Sequence, residues 1–424
     1  MSAVTVGLAG MTHLGLVSAM GMATKFDVVC YDGDSDLVGR LQAGQLPVSE
    51  PDLDDLVRSN AARHRFTSRL EDLARCDVIY VAPDIPTDDE GRSDSRGLLA
   101  LIEQVTTVLG PNASLIVLSQ VDPGFTRRLS SPPLARRFYQ VETLIFGRAV
   151  ERAMKPERYI VGCADPSVPL PQAYRTVLEA FSPNILPMRY ESAELAKISI
   201  NFCLVASVTV ANTLAEVCEN IGADWSEIAP ALKLDRRIGP YAYLSPGLGI
   251  SGGNLERDLQ TVLKIGGAHG TDTGVVQAWL HNSRHRKDWT WRTLKGALGS
   301  QKDPRIAVLG LAYKENTHST KNSPSLQLLA QLRNFAVAVH DPVVPAAVAP
   351  FARPAGSAMD CVQDADVVVL ATPWPEYRQL DLARLGAAMR GRIMIDPYRL
   401  LDGAQAARLG FTYHTLGHPP LKPA

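Results

Sequence analysis

Short apolar runs alternate with amphipathic stretches along the first part of the chain. Val4–Leu8, Val28–Tyr31, Val78–Val81 and Leu115–Leu118 read as strands, and the segments between them carry apolar residues at helical spacing. Such alternation predicts a parallel, doubly wound sheet, because each crossover helix covers a face before the chain returns. A second series starts at Arg305-Ile-Ala-Val-Leu-Gly-Leu and continues through Val337–Val339, Val367–Leu370 and Ile393–Ile395. Between the two series, residues 191–222 hold strong helix formers, no internal proline or glycine, and a stop at Gly222. At about 1.5 Å per residue that helix is roughly 45 Å long, enough to link two domains. The expected fold is α/β: two Rossmann-like doubly wound parallel-sheet domains joined by a long central helix, with boundaries at 1–190, 191–295 and 296–424. The apolar face left on the helix is expected to pack against its copy in a homodimer. The proline-rich end (Pro419, Pro420, Pro423) reads as a frayed tail.

Composition narrows the classes. The 424 residues, 46% of them hydrophobic, suffice for two or three cores. Lys and Arg number 43 against 44 acidic residues, so there is no general basic field for nucleic acid or an anionic membrane surface. Six scattered cysteines without close pairs point to reduced thiols and no metal site, and Cys203 and Cys218 read as buried small hydrophobes. Charges are expected to interrupt every apolar stretch before it could span a bilayer. Met1 leads into the first strand without a basic leader, so a cytoplasmic location is expected.

After the first strand comes Gly10-Met-Thr-His-Leu-Gly15, spaced like GxGxxG with Thr12 at the middle glycine. Gly10 permits the tight turn, Gly15 permits close helix packing, and the helix start offers N–H groups to a pyrophosphate. Asp32 follows the second strand, where a carboxylate accepts both ribose hydroxyls and repels a 2′-phosphate. NAD is therefore favoured over NADP. Thr12 adds a side chain beneath the pyrophosphate, while His13, with Leu14, reads as a loop residue of the cofactor site rather than a catalyst.

Further motifs run the length of the chain: Pro47-Val-Ser-Glu-Pro51, Ser119-Gln-Val-Asp-Pro-Gly-Phe-Thr126, Ala193-Glu-Leu-Ala-Lys-Ile-Ser-Ile-Asn201, Gly310-Leu-Ala-Tyr-Lys314 and Ser323-Pro-Ser325. In this order they resemble the UDP-glucose/GDP-mannose dehydrogenase family. The resemblance implies an N-terminal NAD domain, a central dimer helix and a C-terminal domain that covers a nucleotide sugar. It also implies that Lys197 and Asn201, one helical turn apart, stabilise an oxyanion at the reacting hydroxyl, that Glu142 is an acid or base, and that Asp258 assists the chemistry. Pro83 and Gln120 would line the cofactor. Gly247, Gly249, Arg236 or Arg237, Lys314 and Lys321 would meet the substrate.

The departures fall on the chemistry. In Gly247-Leu-Gly-Ile-Ser-Gly-Gly-Asn-Leu-Glu-Arg-Asp258, Asn254 stands where the family has its nucleophilic cysteine. An amide forms no thiolate, hence no thiohemiacetal or thioester. Gln120 replaces a threonine, Phe146 a second glutamate and Arg257 a lysine. Cys203 is roughly 200° around the helix from Asn201 and should face elsewhere. Lys321 stands in for a diphosphate-gripping arginine and lacks its bidentate fork. What survives suits a two-electron oxidation of a sugar carbinol on a nucleotide sugar or nucleoside. The expected outcome is hydride return after dehydration or epimerisation, as in nucleoside-antibiotic tailoring by dehydratases of the angustmycin type. The alternatives are release of an aldehyde or ketone with NADH, and a non-catalytic binding protein.

Overall fold

The computed structural model describes residues 4–86, 88, 93–251 and 253–423. The chain divides into two units, Met1–Ile200 and Asn201–Ala424. In the first, eight strands form one sheet: β1 (Thr5–Ala9), β2 (Asp27–Tyr31), β3 (His64–Thr67), β4 (Val78–Val81), β5 (Ser114–Val117), β6 (Arg137–Gln140), β7 (Tyr159–Cys163) and β8 (Ile185–Arg189). Their order is β3-β2-β1-β4-β5-β6-β7-β8, with β6 and β7 antiparallel and the other pairs parallel. Side chains alternate between two cores: Val6 and Leu8 pack on one face, and Ala9, Val81 and Val117 on the other. Helix α1 (His13–Ala23) has all eleven residues buried, which its sequence HLGLVSAMGMA allows because it presents no charged face.

Helix α2 runs from Tyr190 to Ile221, within a residue of the expected span at each end. The expectation that charges break every apolar stretch fails for this helix, which by length and composition alone could cross a membrane. Its sequence is apolar on more than one face: Ala193, Ile198, Val205, Ala211 and Ala215 are buried, while Val210, Leu214, Val217 and Ile221 are exposed.

In the second unit, α3 (Asn254–His269) and α4 (Gly274–Lys287) precede a seven-stranded sheet, which the chain enters after residue 304. Its strands are β9 (Arg305–Leu309), β10 (Ala336–His340), β11 (Arg353–Pro354), β12 (Val367–Leu370), β13 (Ile393–Ile395), β14 (Thr412–Thr415) and β15 (His418–Leu421), with α5 (Pro324–Gln331) between β9 and β10. The order is β11-β10-β9-β12-β13-β14-β15, parallel except for β14 and β15. The C-terminal segment is thus no frayed tail, since its first four residues form the outer strand β15. A polar network fastens the end of α2 within this unit. Arg286, fully buried, reaches Glu216 at 2.9 Å, His285 and Arg292 meet the same carboxylate, and Trp289 Nε1 and the Gly417 N–H donate to Glu219. All six cysteines are free, and Cys203 is exposed rather than buried because it projects from the outer side of α2.

Candidate active site

The cofactor turn is built as its glycines require. Gly10 adopts φ +94° beside Pro83, and its N–H donates to the Tyr31 carbonyl at 2.9 Å. A Cβ on Gly15 would lie 1.8 Å from the Gly10 carbonyl oxygen, so only glycine lets α1 start against the turn. Asp32 Oδ2 accepts the Met11 N–H at 2.7 Å, and Oδ1 accepts that of Asp34 at 3.0 Å. Thr12 precedes α1 without capping it, leaving the first helical N–H groups for an anion. Its hydroxyl turns toward the end of β4, accepting the Asp84 N–H at 2.8 Å, and Asp84 Oδ2 lies 3.5 Å from the Leu14 N–H. These residues fit a dinucleotide: glycines at the close approaches, a carboxylate after β2 and an uncapped helix start.

His13 corrects its reading as a loop residue. It is the first residue of α1, only 8% exposed, with Nε2 2.8 Å from Glu50 Oε1. The ring of Phe146 stacks on it at 4.1 Å and 24°. Glu50 also accepts the Gly147 N–H at 2.9 and 3.0 Å and the Ala149 N–H at 3.3 Å, which pins the loop carrying Phe146. Nothing in the composition of PVSEP or of the loop announces these contacts, because they join segments about a hundred residues apart.

At the other end of that loop, Lys197 Nζ donates to the Glu142 carbonyl at 2.9 Å and lies 3.4 Å from its carboxylate. Both side chains are largely buried, which strengthens their attraction and leaves a cation beside a carboxylate. One turn earlier on α2, Glu194 is completely buried and accepts the Gly124 and Thr126 N–H groups. Burial pushes its carboxyl above the usual range, while those donors counter it. Glu194 therefore anchors the loop that carries Gln120, a part that sequence reading missed and that its fixed place three residues before Lys197 could have signalled.

In the second unit, Asn201 Nδ2 donates to Asp258 Oδ2 at 2.5 Å, and the neighbouring Arg257 Nε lies 3.2 Å from Asp258 Oδ1. Arg257 and Asp258 are buried, whereas Asn254, the first residue of α3, is exposed. The loop before it is tied down at both glycines: Gly247 N–H donates to Asn212 at 2.8 Å, and Gly249, at φ +78°, packs so tightly on Ser283 that a Cβ would lie 2.4 Å from its carbonyl. Gly247 and Gly249 thus shape the loop. The Lys321 side chain comes within 3.4 Å of the Cβ position of Gly253, and Asn322 donates to Glu256 at 2.7 Å. Lys314 is half-buried over Tyr313. Arg236 and Arg237 stay on an exposed stretch, the latter paired with Asp235 at 2.6 Å.

Comparison with known proteins accounts for this arrangement. The UDP-glucose/GDP-mannose dehydrogenase family models match residues 4–181 as the NAD binding domain, 191–284 as the central domain and 307–403 as the UDP binding domain. A UDP-glucose 6-dehydrogenase of Pseudomonas aeruginosa is 30% identical across 97% of this chain and 96% of its own length. One from Bacillus subtilis is 27% identical across 98% and 94%. The chain belongs to the UDP-glucose/GDP-mannose dehydrogenase family. The UDP-glucose dehydrogenase structure from Pyrobaculum islandicum superposes with a TM-score of 0.85 at 25% identity, covering 98% of each chain. The structure of UDP-D-ManNAc dehydrogenase from Pyrococcus horikoshii shares the fold, with a TM-score of 0.82 at 23% identity over 98% of this chain and 99% of its own. The protein is thus a member of an NAD-dependent nucleotide-sugar dehydrogenase family, with an NAD domain and a UDP-binding domain. Of the residues singled out as departures in the sequence, Phe146 is the one that stacks on His13.

Proposed function

We propose that this chain oxidises a carbinol of a nucleotide sugar or nucleoside only transiently and returns the hydride, giving net dehydration or epimerisation. The observation that carries this reading is Asn254 at the head of α3, four residues before the buried Asp258, an amide at the position where the resemblance implies a cysteine. Without sulfur to capture an aldehyde, an acid-forming second oxidation has no acyl carrier. Bound NAD supplies a reversible hydride acceptor. Glu142 takes the hydroxyl proton, and the Lys197 ammonium steadies the oxygen as negative charge develops. Once the carbinol is a ketone, its neighbouring C–H is acidic. Glu142, once its first proton has passed to solvent, removes that proton; it then either protonates a departing β-hydroxyl, which leaves as water, or returns the proton on the other face, after which the bound hydride and a solvent proton go back to the carbonyl. Asn201 and Asp258 serve as a donor and an orienting carboxylate. Lys321, a point charge beside Gly253, suits a ligand with fewer phosphates or a looser grip on a diphosphate.

Incubation with NAD and a panel of nucleotide sugars and nucleosides tests the reading. Product that has lost one water or inverted one centre, without net NADH, is expected. Stoichiometric NADH with a released aldehyde or ketone overturns hydride return in favour of simple two-electron oxidation. Lys197→Ala is expected to abolish conversion while NAD still binds; no conversion by the wild-type chain would leave a binding protein on the same fold. A second copy is the proposed partner for the stripe Val210, Leu214, Val217 and Ile221, whose spacing aligns one helix face.

A further inference from the structure

We infer that Phe146 and Glu50 are cofactor-retaining residues: with His13 they form a strap over the nucleotide turn that slows departure of the dinucleotide. This rests on the proposed function only in that hydride return requires the nicotinamide to stay through the cycle.

His13 opens α1, so its ring rises from the helix end whose N–H groups meet a pyrophosphate. That ring is closed off on two sides, by the Glu50 carboxylate at 2.8 Å and by Phe146 stacked at 4.1 Å. Phe146 is no core residue, since 45% of it remains exposed. An aromatic ring that stacks on a buried imidazole and shows so much of its surface is a platform on which a further ring or ribose can lie. The loop that delivers it is fixed at both ends: Lys197 holds Glu142, and Glu50 takes the backbone N–H groups of Gly147 and Ala149. Between those anchors Phe146 lays its ring on the imidazole at the start of α1, so the stack couples the middle of the loop to the nucleotide turn. Glu50 performs both tasks at once, orienting the imidazole and holding the loop beside it.

The test uses the full chain without substrate: NADH is bound, then displaced by excess NAD, and its fluorescence is followed by stopped flow. Phe146→Ala is expected to speed NADH dissociation by about tenfold or more, and Phe146→Tyr, which keeps the ring, by less than about twofold. Phe146→Leu keeps bulk without stacking and is expected to resemble Phe146→Ala; it serves if the alanine variant fails to fold. Glu50→Gln is expected to accelerate release to an intermediate extent. An unchanged dissociation rate in a natively melting Phe146→Leu or Phe146→Ala overturns the strap and leaves hydride return standing. Failure of the wild-type chain to bind NADH overturns both. Slow release in the wild type with fast release in the variant, beside products that demand net NADH, upholds the strap and sinks hydride return alone.

Discussion

At the end of β1, the Gly10 N–H donates to Tyr31 at 2.9 Å and the Met11 N–H reaches Asp32 at 2.7 Å; at the end of β9, Gly310 donates to His340 at 2.7 Å and Leu311 reaches Asp341 at 2.6 Å. Gly10 and Gly310 both take positive φ, +94° and +106°, against the strand that follows on the other side. The two units therefore repeat one strand-turn-strand-carboxylate device. They then part. Asp32 accepts two backbone N–H groups and keeps capacity for ribose hydroxyls. Asp341 accepts five donors, the N–H groups of Leu311, Ala312, Val343 and Val344 and the Trp374 indole, which exhausts a carboxylate's lone pairs. In the first unit α1 begins at His13, right over the turn, whereas in the second α5 waits until Pro324. A turn that keeps its carboxylate open and its helix close can hold a dinucleotide. One that spends the carboxylate on its own loops is a structural clasp.

The largest expected effect breaks this contrast directly. Asp341→Ala orphans five donors and should cost about 3 kcal/mol or more in urea unfolding, while Asp32→Ala costs under about 1 kcal/mol. Next comes acid. Burial opposes the charges of Glu216 and Asp224, but hydrogen bonds from His285, Arg286 and Arg292, and from Arg399 and Ser226, outweigh it and bring each carboxyl down to about 2. Because the folded values lie below the unfolded 4.5 and 3.8, this stability is complete above those values and fades as pH falls toward 2, roughly 2 to 3 kcal/mol per group. In the first unit Glu194 is displaced upward by burial, so acid relieves rather than loads it. All five tryptophans (Trp225, Trp279, Trp289, Trp291, Trp374) lie in the second unit. Tryptophan fluorescence should therefore change at higher pH than the far-UV signal of the whole chain on acid titration. A smaller effect is expected for Asp32→Ala on binding: NAD affinity by calorimetry should fall about tenfold or more and the margin over NADP should narrow. Smallest, Thr12→Gly releases Asp84 from the start of α1 and should raise NAD affinity by about two- to fivefold.

Residue pattern made the central strands of both sheets legible, because β1, β2, β4, β9, β12 and β13 are predominantly apolar runs whose residues are mostly buried on both faces. The outer elements were not. β3 reads His-Arg-Phe-Thr and β8 carries Pro187 with mostly part-exposed or exposed residues, while β6 buries Arg137, which donates to the Leu129 carbonyl, and Gln140, which accepts from the Tyr174 hydroxyl. The site divides in the same way. Gly10, Gly15 and Asp32 announce themselves by spacing, and the resemblance of the surrounding motifs points to Lys197, Asn201 and Asp258. Glu50, Glu194 and the stacking role of Phe146 do not, since each acts through partners that only the folded chain brings near.

The rim strands have a consequence for solubility. An unpaired strand edge recruits strands from other molecules, and proline blunts it by removing an N–H. Three of the four rim strands carry that device: Pro187 in β8, Pro354 in β11, and Pro419 with Pro420 in β15. Trimming the chain before His418 would uncover β14, whose Thr412–Thr415 backbone has no such guard, and would turn a quiet border into a seed for aggregation.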